Sequence, residues 1–498
     1  MKQWLRLKVG ILLVVMALSV FAGSSSAFAV DAYTRGFTTS ITYQNVGTGA
    51  ANISLDIYSQ STGTAIVSGI PFTLPAGASA SFFVGGLNQL SSGFQGSAVL
   101  SADQPLIATA VQSDVGTGER VINRALSNGF SQGSNKVLIA TILKTQFGPN
   151  TSRFSVQNVD TTAADVTVKF FAAGATTPIH TIPVLNLPPN SAKYFDAGTI
   201  TELPAGFNGS VTIDAVKTGT TTGGSVVATA MELGTTLPTV YAFEGIPASD
   251  AANTIYMATA LCQVFGGQSS AYAIQNTSST AGENAVITIT YKSTAGTTFA
   301  TDPVTVAPGA KTSHQACSKV PAGFSGSATI TSTGAKIVAI GKVTGAGITS
   351  AFISATGGTN KIAAPYVRWS NTRWNTGDRV RQHSDLAIQN VGANIPAGGL
   401  VVKYIDKDGK LVGTHTIAAA ILSGGKVNSN PNQATPNPGY SGTTTLGEFG
   451  YVGASATAVG GGASIEGPAG SQLIGIVRVT SFPATGLVGE DYSIIPVQ

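Results

Sequence analysis

The sequence has little charge and little cysteine, and beyond its first residues it has no long hydrophobic run. Only 10% of its 498 residues are charged, and 27 basic residues stand against 23 acidic ones. Such a chain has no electrostatic footprint for nucleic acid or for an anionic membrane. No later stretch approaches the roughly 18 apolar residues that suggest a membrane-spanning helix. We therefore expect no nucleic-acid partner and no membrane span after the N-terminus.

Catalytic and metal-binding motifs are also absent. The sequence has no Gly-x-Ser-x-Gly elbow, no His-Glu-x-x-His helix and no phosphate-binding loop. Its four histidines are scattered, at His180, His314, His383 and His415. His180 and His415 both precede Thr-Ile at corresponding places of a repeat, which favours a structural origin. We predict no enzyme, no cofactor and no metal site.

The N-terminus has the three parts of a secretory signal peptide. Lys2, Arg6 and Lys8 precede an apolar run over residues 9–22, and small residues follow as far as Ala29. We expect cleavage after Ala29. This predicts an exported protein, extracellular or held at the cell surface.

Glycine and β-branched residues dominate the remaining sequence. There are 60 glycines, and helix-favouring Lys, Glu and Arg are scarce. Segments such as residues 166–170 alternate apolar and polar side chains, which is typical of a strand with one buried face. The sequence predicts an all-β fold of short strands joined by glycine-rich turns.

Two phrases recur four times. One is a strand that ends in Gln-Asn, at Gln44 and Asn45, Gln157 and Asn158, Gln275 and Asn276, and Gln389 and Asn390. The other, Gly-aromatic-x-Gly-Ser or Gly-aromatic-x-Gly-Thr, has its aromatic residue at Phe94, Phe207, Phe324 and Tyr440. The asparagines lie 113, 118 and 114 residues apart, and each aromatic residue follows its asparagine by 48 to 50 residues. Two phrases in constant register indicate tandem duplication.

This spacing divides the chain into a signal peptide and four modules. The predicted bounds are 1–29 for the signal peptide, then 30–129, 130–246, 247–357 and 358–498, the last with insertions. About seven short strands in about 110 residues is the profile of an immunoglobulin-like sandwich.

The repeated Gln-Asn and Gly-Phe-x-Gly-Ser phrases resemble those of Ig-like or fibronectin-like modules arrayed in bacterial cell-surface and secreted proteins. The resemblance implies four tandem antiparallel β-sandwiches in a rod, with a non-catalytic structural or adhesive role. Its implied partners are other envelope proteins or surface glycans. The Gln-Asn pairs themselves have two interpretations: amides that satisfy backbone groups at strand ends, or a ligand-binding row along the rod.

The only two cysteines, Cys262 and Cys317, lie in the third module. In an exported protein such a pair predicts a disulfide, with two free buried thiols as the alternative. Residues 406–409, Asp-Lys-Asp-Gly, are interpreted as a hairpin turn rather than a fragment of a calcium loop, because the later ligands are missing.

An insertion over residues 366–381 is rich in tryptophan and arginine. Aromatic faces stack on sugar rings and arginine binds carboxylates. The candidate glycan contacts are Trp369, Trp374, Arg368 and Arg373. The alternative function is therefore a protein that binds cell-wall polymer or exopolysaccharide through module 4. Trp374 also has a structural interpretation, as the counterpart of Phe147 and Phe265.

The two ends of the chain suggest one mode of self-association. Module 1 begins almost at the cleavage site, so its first strand is short and a sheet edge is left open. The strand-like run over residues 492–497 is a candidate donor for that edge in another copy, which would build head-to-tail filaments. The alternative is that this run pairs within module 4.

Overall fold

The computed structural model describes residues 36–60, 62–115, 124–148, 150–234, 239–370, 381–438, 446, 449, 461–482 and 488–497. The all-β prediction is confirmed, with antiparallel sheets throughout these residues apart from one parallel contact. Short turns of 3-10 helix lie at Val84–Gly86, Ala248–Asp250, Ala316–Ser318 and Pro431–Gln433. The strands fall into four groups, which we call units 1 to 4.

Unit 1 has two sheets, β4-β1-β6-β7 and β3-β2-β5, around a core that includes Tyr43 and Leu55. Its strands are β1 Gly36–Asn45, β2 Ala51–Ser59, β3 Ala65–Leu74, β4 Ser79–Phe83, β5 Gly96–Ala102, β6 Leu106–Val115 and β7 Arg124–Asn128.

Unit 2 has the sheets β11-β10-β13-β8-β16 and β12-β9-β14-β15, with Phe154 and Phe170 in the core between them. Its strands are β8 Lys136–Lys144, β9 Asn150–Asn158, β10 Ala164–Ala172, β11 His180–Leu187, β12 Ala192–Asp196, β13 Phe207–Lys217, β14 Val226–Gly234, β15 Val240–Glu244 and β16 Ile246–Pro247.

Unit 3 has the sheets β17-β23-β19-β20, with β21 also on β19, and β22-β18-β24-β25. Its strands are β17 Thr254–Cys262, β18 Ser269–Asn276, β19 Ala285–Ser293, β20 Thr298–Ala300, β21 Val304–Val306, β22 Lys311–Gln315, β23 Phe324–Gly334, β24 Ile337–Gly345 and β25 Ile348–Ile353.

Unit 4 has the sheets β31-β29-β28-β32-β26-β35 and β30-β27-β33-β34, and the second joins unit 3 where β25 meets β34. Its strands are β26 Lys361–Ala364, β27 Arg381–Asn390, β28 Val401–Asp406, β29 Leu411–Thr416, β30 Lys426–Ser429, β31 Thr435–Pro436, β32 Gly461–Glu466, β33 Leu473–Phe482, β34 Val488–Ser493 and β35 Ile495–Pro496.

Units 2, 3 and 4 each begin with a leading strand, β8, β17 or β26. That strand pairs with β13, β23 or β32 in one sheet, whereas the next strand of the chain lies in the opposite sheet. In the immunoglobulin sandwich the first two strands lie side by side in one sheet. The strand order of these units therefore differs from the expected Ig-like order.

The four units form a closed ring, so the expected rod is wrong. Unit 4 contacts unit 1 directly: Asn128 Nδ2 donates to the Ser493 carbonyl at 2.8 Å, and Arg124 donates to Ser481 Oγ at 3.3 Å. Val111 and Leu126 of unit 1 belong to the hydrophobic core of unit 4. The final strands β7, β15, β25 and β34 meet one another in that cyclic order. The first and last units of a rod would be far apart.

The leading strands explain why the units pack so closely. Residues 137–143 of β8 are all buried, as expected of a strand covered on both faces. One face contacts β9 and β14 of its own unit, and the other contacts β18 and β24 of unit 3. Ala273, Val338 and Ile340 of unit 3 consequently belong to the core of unit 2.

The C-terminal run is paired inside unit 4. Strand β34 pairs with β33, and β35 pairs with β26. The filament hypothesis fails here because its donor strand is not free. In the part of the chain that the structure describes, no helix has the length and apolar character needed to cross a membrane.

Candidate functional site

The repeated asparagines all make the same contacts. Asn45 Nδ2 donates to the Gly49 and Leu74 carbonyls at 2.7 and 3.0 Å, and its Oδ1 accepts from the Gly47 amide at 2.9 Å. The matching bonds recur in the other units, made by Asn158, Asn276 and Asn390. Each amide thus closes a loop and supplies partners to backbone groups where a strand ends.

The glutamine before three of these asparagines approaches the carbonyl of a glycine with positive φ in a turn. Gln44 donates to the Gly77 carbonyl at 3.1 Å, and Gln275 donates to the Gly309 carbonyl at 3.1 Å. Gln275 Nε2 also lies 3.3 Å from the Val211 carbonyl of unit 2. Gln389 approaches the Gly424 carbonyl at 3.5 Å. Gln157 differs, because its Nε2 atom is buried with no hydrogen-bond partner.

The Gly-Phe-x-Gly-Ser phrase is explained by the backbone around it. Its first glycine has φ of 81°, 78° and 85° at Gly93, Gly206 and Gly323, where a side chain would be strained. A Cβ on its second glycine would lie 2.1 to 2.2 Å from a carbonyl oxygen of the neighbouring strand. The aromatic rings Phe207 and Phe324 are buried, Phe94 is half-buried, and Tyr440 lies outside the described residues.

The serine of the phrase joins each unit to the next. Ser97 Oγ donates to the Asn190 carbonyl at 2.5 Å, Ser210 Oγ to the Gly309 carbonyl at 2.8 Å, and Ser327 Oγ to the Gly424 carbonyl at 2.7 Å. The accepting residues lie at the same place before β12, β22 and β30. The repeated phrase is therefore a junction between units.

Charged groups are buried at these junctions. Lys342 of unit 3 pairs with Glu232 of unit 2. Arg478 binds Asp491 through two nitrogens, at 2.8 and 2.6 Å, and Asp491 also accepts from Ser350 of unit 3. The Lys342–Glu232 pair and the Ser350–Asp491 bond fix one unit against another, since a buried charge is costly when left without its partner.

Burial shifts the pKa values of four buried charged side chains. It lowers the pKa of Lys311 to about 7, helped by the nearby Lys342, and that of Lys426 to about 7, helped by Arg478. It raises the pKa of Glu244 to about 7 and that of Glu490 to about 8. Burial disfavours the charged form in all four cases.

Two of the candidate glycan contacts lie in the interior. Trp369 is 8% exposed and its ring stacks on His383, with ring centroids 4.0 Å apart. Arg368 is 2% exposed and donates to the Val367 and Gly461 carbonyls. Neither side chain is available to a glycan on the surface. Trp374 and Arg373 lie outside the described residues.

Cys262 and Cys317 form a disulfide with their Cα atoms 5.0 Å apart, which ties the end of β17 to the turn after β22. Asp406 Oδ1 accepts from the Asp408 and Lys410 amides, at 3.0 and 2.9 Å, in the turn between β28 and β29. Among the described residues no group of three or more His, Cys, Asp or Glu side chains is placed to hold a metal ion.

No family model and no curated protein matches this chain. Among solved structures it is similar to a Thermotoga maritima protein, titled "Crystal Structure of Thermotoga maritima 1070". The two are 14% identical over 23% of this chain and 95% of that one, with a TM-score of 0.18.

Proposed function

We propose that this protein is a non-catalytic scaffold of the bacterial cell exterior, with a structural or adhesive role. The proposal rests mainly on the contacts that the repeated residues make. The asparagines close loops within a unit, the glycines allow close backbone contacts, and the serines join consecutive units. The repeated residues are therefore those that build each unit and join it to the next.

Two further observations support an exported protein. The disulfide is typical of oxidising compartments, and the first 29 residues have the pattern of a signal peptide. The carbohydrate-binding alternative loses support, because Trp369 and Arg368 are buried.

The test is made in producing cells. Fractionation with an antibody against the ring is expected to find the protein outside the cytoplasm, with Val30 as its first residue. A deletion strain is expected to change in attachment or envelope integrity, and the wild-type gene is expected to restore it. Retention in the cytoplasm, or a deletion strain without any surface phenotype, would contradict the proposal.

A further inference from the structure

Unit 1 lacks a leading strand among the residues that the structure describes. In unit 2, β13 pairs with β10 on one side and with β8 on the other. The equivalent strand β5 pairs with β2 on one side, and no described strand lies on its other side. An edge of this kind presents backbone N–H and C=O groups that can pair with another chain.

The apolar residues that a leading strand helps to bury elsewhere are more exposed in unit 1. Strand β14 of unit 2 presents Val226, Ala228 and Ala230 beneath β8, and each is at most 1% exposed. Their counterparts on β6, Leu106, Ala108 and Ala110, are half-buried. On β5, Ala98 is exposed and Leu100 is half-buried, whereas the matching Val211 and Ile213 of unit 2 are fully buried. We call this place, between β5 of unit 1 and β9 of unit 2, the slot.

The wall of the slot that unit 2 supplies is polar at three positions and apolar at Val227, the counterpart of Val338. At the junction of units 2 and 3, strand β8 covers Ala273, Gln275 and Ile340 of unit 3. The matching residues of unit 2 are Ser155, Gln157 and Thr229, and all three are half-buried. The buried Gln157 Nε2 has no hydrogen-bond partner, although its counterpart Gln275 reaches three acceptors.

The pairing of β8 shows how a strand in the slot would be oriented. Val137 and Ile139 pair with Ile213 and Val211, whose side chains lie in the core of their own unit. Leu138 pairs with Thr212, which faces unit 3 and accepts from Gln275. Alternate residues of the strand thus face the unit's own core and the next unit.

We propose that the slot binds an extended segment of a partner polypeptide as an added antiparallel strand on β5. The segment has apolar side chains at the alternate positions that face unit 1, and polar side chains at the positions that face Ser155 and Gln157. This proposal rests on the scaffold function and names the partner that such a scaffold displays or captures.

The protein's own strands are already engaged. Strands β8, β17 and β26 pair in their own units, and β34 and β35 pair in unit 4. The interiors of β8 and β17 are also apolar or buried on both faces, which does not suit a wall that is polar at Ser155, Gln157 and Thr229. The chemistry of the slot therefore favours a different polypeptide over a second copy.

The experiment uses the purified mature protein and a synthetic peptide. The peptide has the sequence of residues 136–144 with Leu138→Thr, so that it carries the alternation that the slot requires. Binding is measured by fluorescence anisotropy, and the site by hydrogen exchange of β5. A matched peptide that also carries Val137→Asp and Ile139→Asp is expected to bind about a hundredfold more weakly, because two apolar side chains are lost.

Protein variants locate the site. Ala108→Glu, in the floor of the slot, is expected to abolish binding, and Ala173→Glu, on an exposed turn of unit 2, is expected to leave it unchanged. A second variant carries residues 136–148 with Leu138→Thr in place of everything before Gly36. It should melt at a higher temperature and no longer bind the peptide.

Binding that protects β5 and is lost in both slot variants supports the proposal. It is overturned if the peptide does not bind, or if Ala108→Glu binds as tightly as the wild type. Slow exchange of the β5 amides without peptide also overturns it, because the chain would then fill the slot itself. These failures would leave the scaffold function standing, since cell fractionation and the deletion strain test that separately.

Discussion

The junction between units 2 and 3 and the junction between units 1 and 2 share a serine bond and a contact between final strands, but they differ in the strand that lies between the two units. A serine of the repeated phrase donates to the turn of the next unit in both, through Ser210 and Ser97. Among the described residues, only the first junction has a leading strand between its two units. The serine bond therefore forms with or without the buried strand. The bond positions the next unit, and the strand supplies the apolar core between the two units.

This difference has energetic consequences. Burying one aliphatic side chain completely contributes about 1.5 to 3 kcal/mol, and β8 is buried from Val137 to Leu143. The face of β8 that contacts unit 3 contributes this burial to the first junction, and the second junction lacks such a strand in the described residues. Matched substitutions at equivalent positions should show the contrast.

The largest contrast is expected for Ile213→Ala against Leu100→Ala. Ile213 lies beside β8 and is fully buried in the core of unit 2, so its truncation should cost about 3 to 4 kcal/mol of unfolding free energy. Leu100 is half-buried at the slot, and its truncation should cost about 1 kcal/mol or less. Urea unfolding followed by circular dichroism measures both. Equal losses would mean that the slot is as well packed as the filled junction.

A smaller contrast is expected for Gln275→Ala against Gln157→Ala. The first substitution removes an amide that is 0% exposed and takes one donor from the Val211 carbonyl and one from the Gly309 carbonyl, which keeps Ser210. That should cost about 1 to 3 kcal/mol. The second removes a nitrogen without any partner and should change stability by less than about 0.5 kcal/mol. A costly Gln157→Ala would show that this amide is engaged in solution.

The smallest contrast concerns pH, because Lys311 at the first junction corresponds to Ala192 at the second. Burial lowers the pKa of Lys311 to about 7 in the folded protein, whereas an unfolded lysine titrates near 10.4. The unfolded chain therefore binds more protons between these values, and Lys311 makes stability rise with pH from about 7 to about 10. The slope is at most about 1.4 kcal/mol per pH unit.

Lys311→Met should flatten this rise and stabilise the protein at pH 7. Lys336→Met, at an exposed position of unit 3, serves as the control and should leave the pH profile unchanged. Denaturation midpoints between pH 7 and 10 measure the effect. Identical profiles for Lys311→Met and the wild type would show that the lysine stays charged when folded.

The repeat and the all-β class were readable from the sequence because both rest on local patterns. The strand order was not, since alternation of apolar residues does not say which sheet a strand joins. Ring closure depends on contacts such as Asn128 with Ser493, which no spacing reveals. The burial of Trp369 depends on His383, fourteen residues away.

One further sequence signal points to the junctions. Gly77, Asn190, Gly309 and Gly424 recur at one place before β4, β12, β22 and β30, and all four have positive φ. Each lies within the turn that receives the glutamine or the serine of a junction. A glycine or asparagine conserved in register among internal repeats predicts a backbone contact at that point.

Small-angle X-ray scattering of the purified mature protein tests the closed ring most directly. Four units packed into one compact body predict a radius of gyration of about 23 Å for a chain of this length. Four units of the same size placed end to end predict roughly 40 Å. A value near 23 Å that does not change with protein concentration supports ring closure between units 4 and 1. A value near 40 Å, with the scattering profile of an elongated particle, would contradict it.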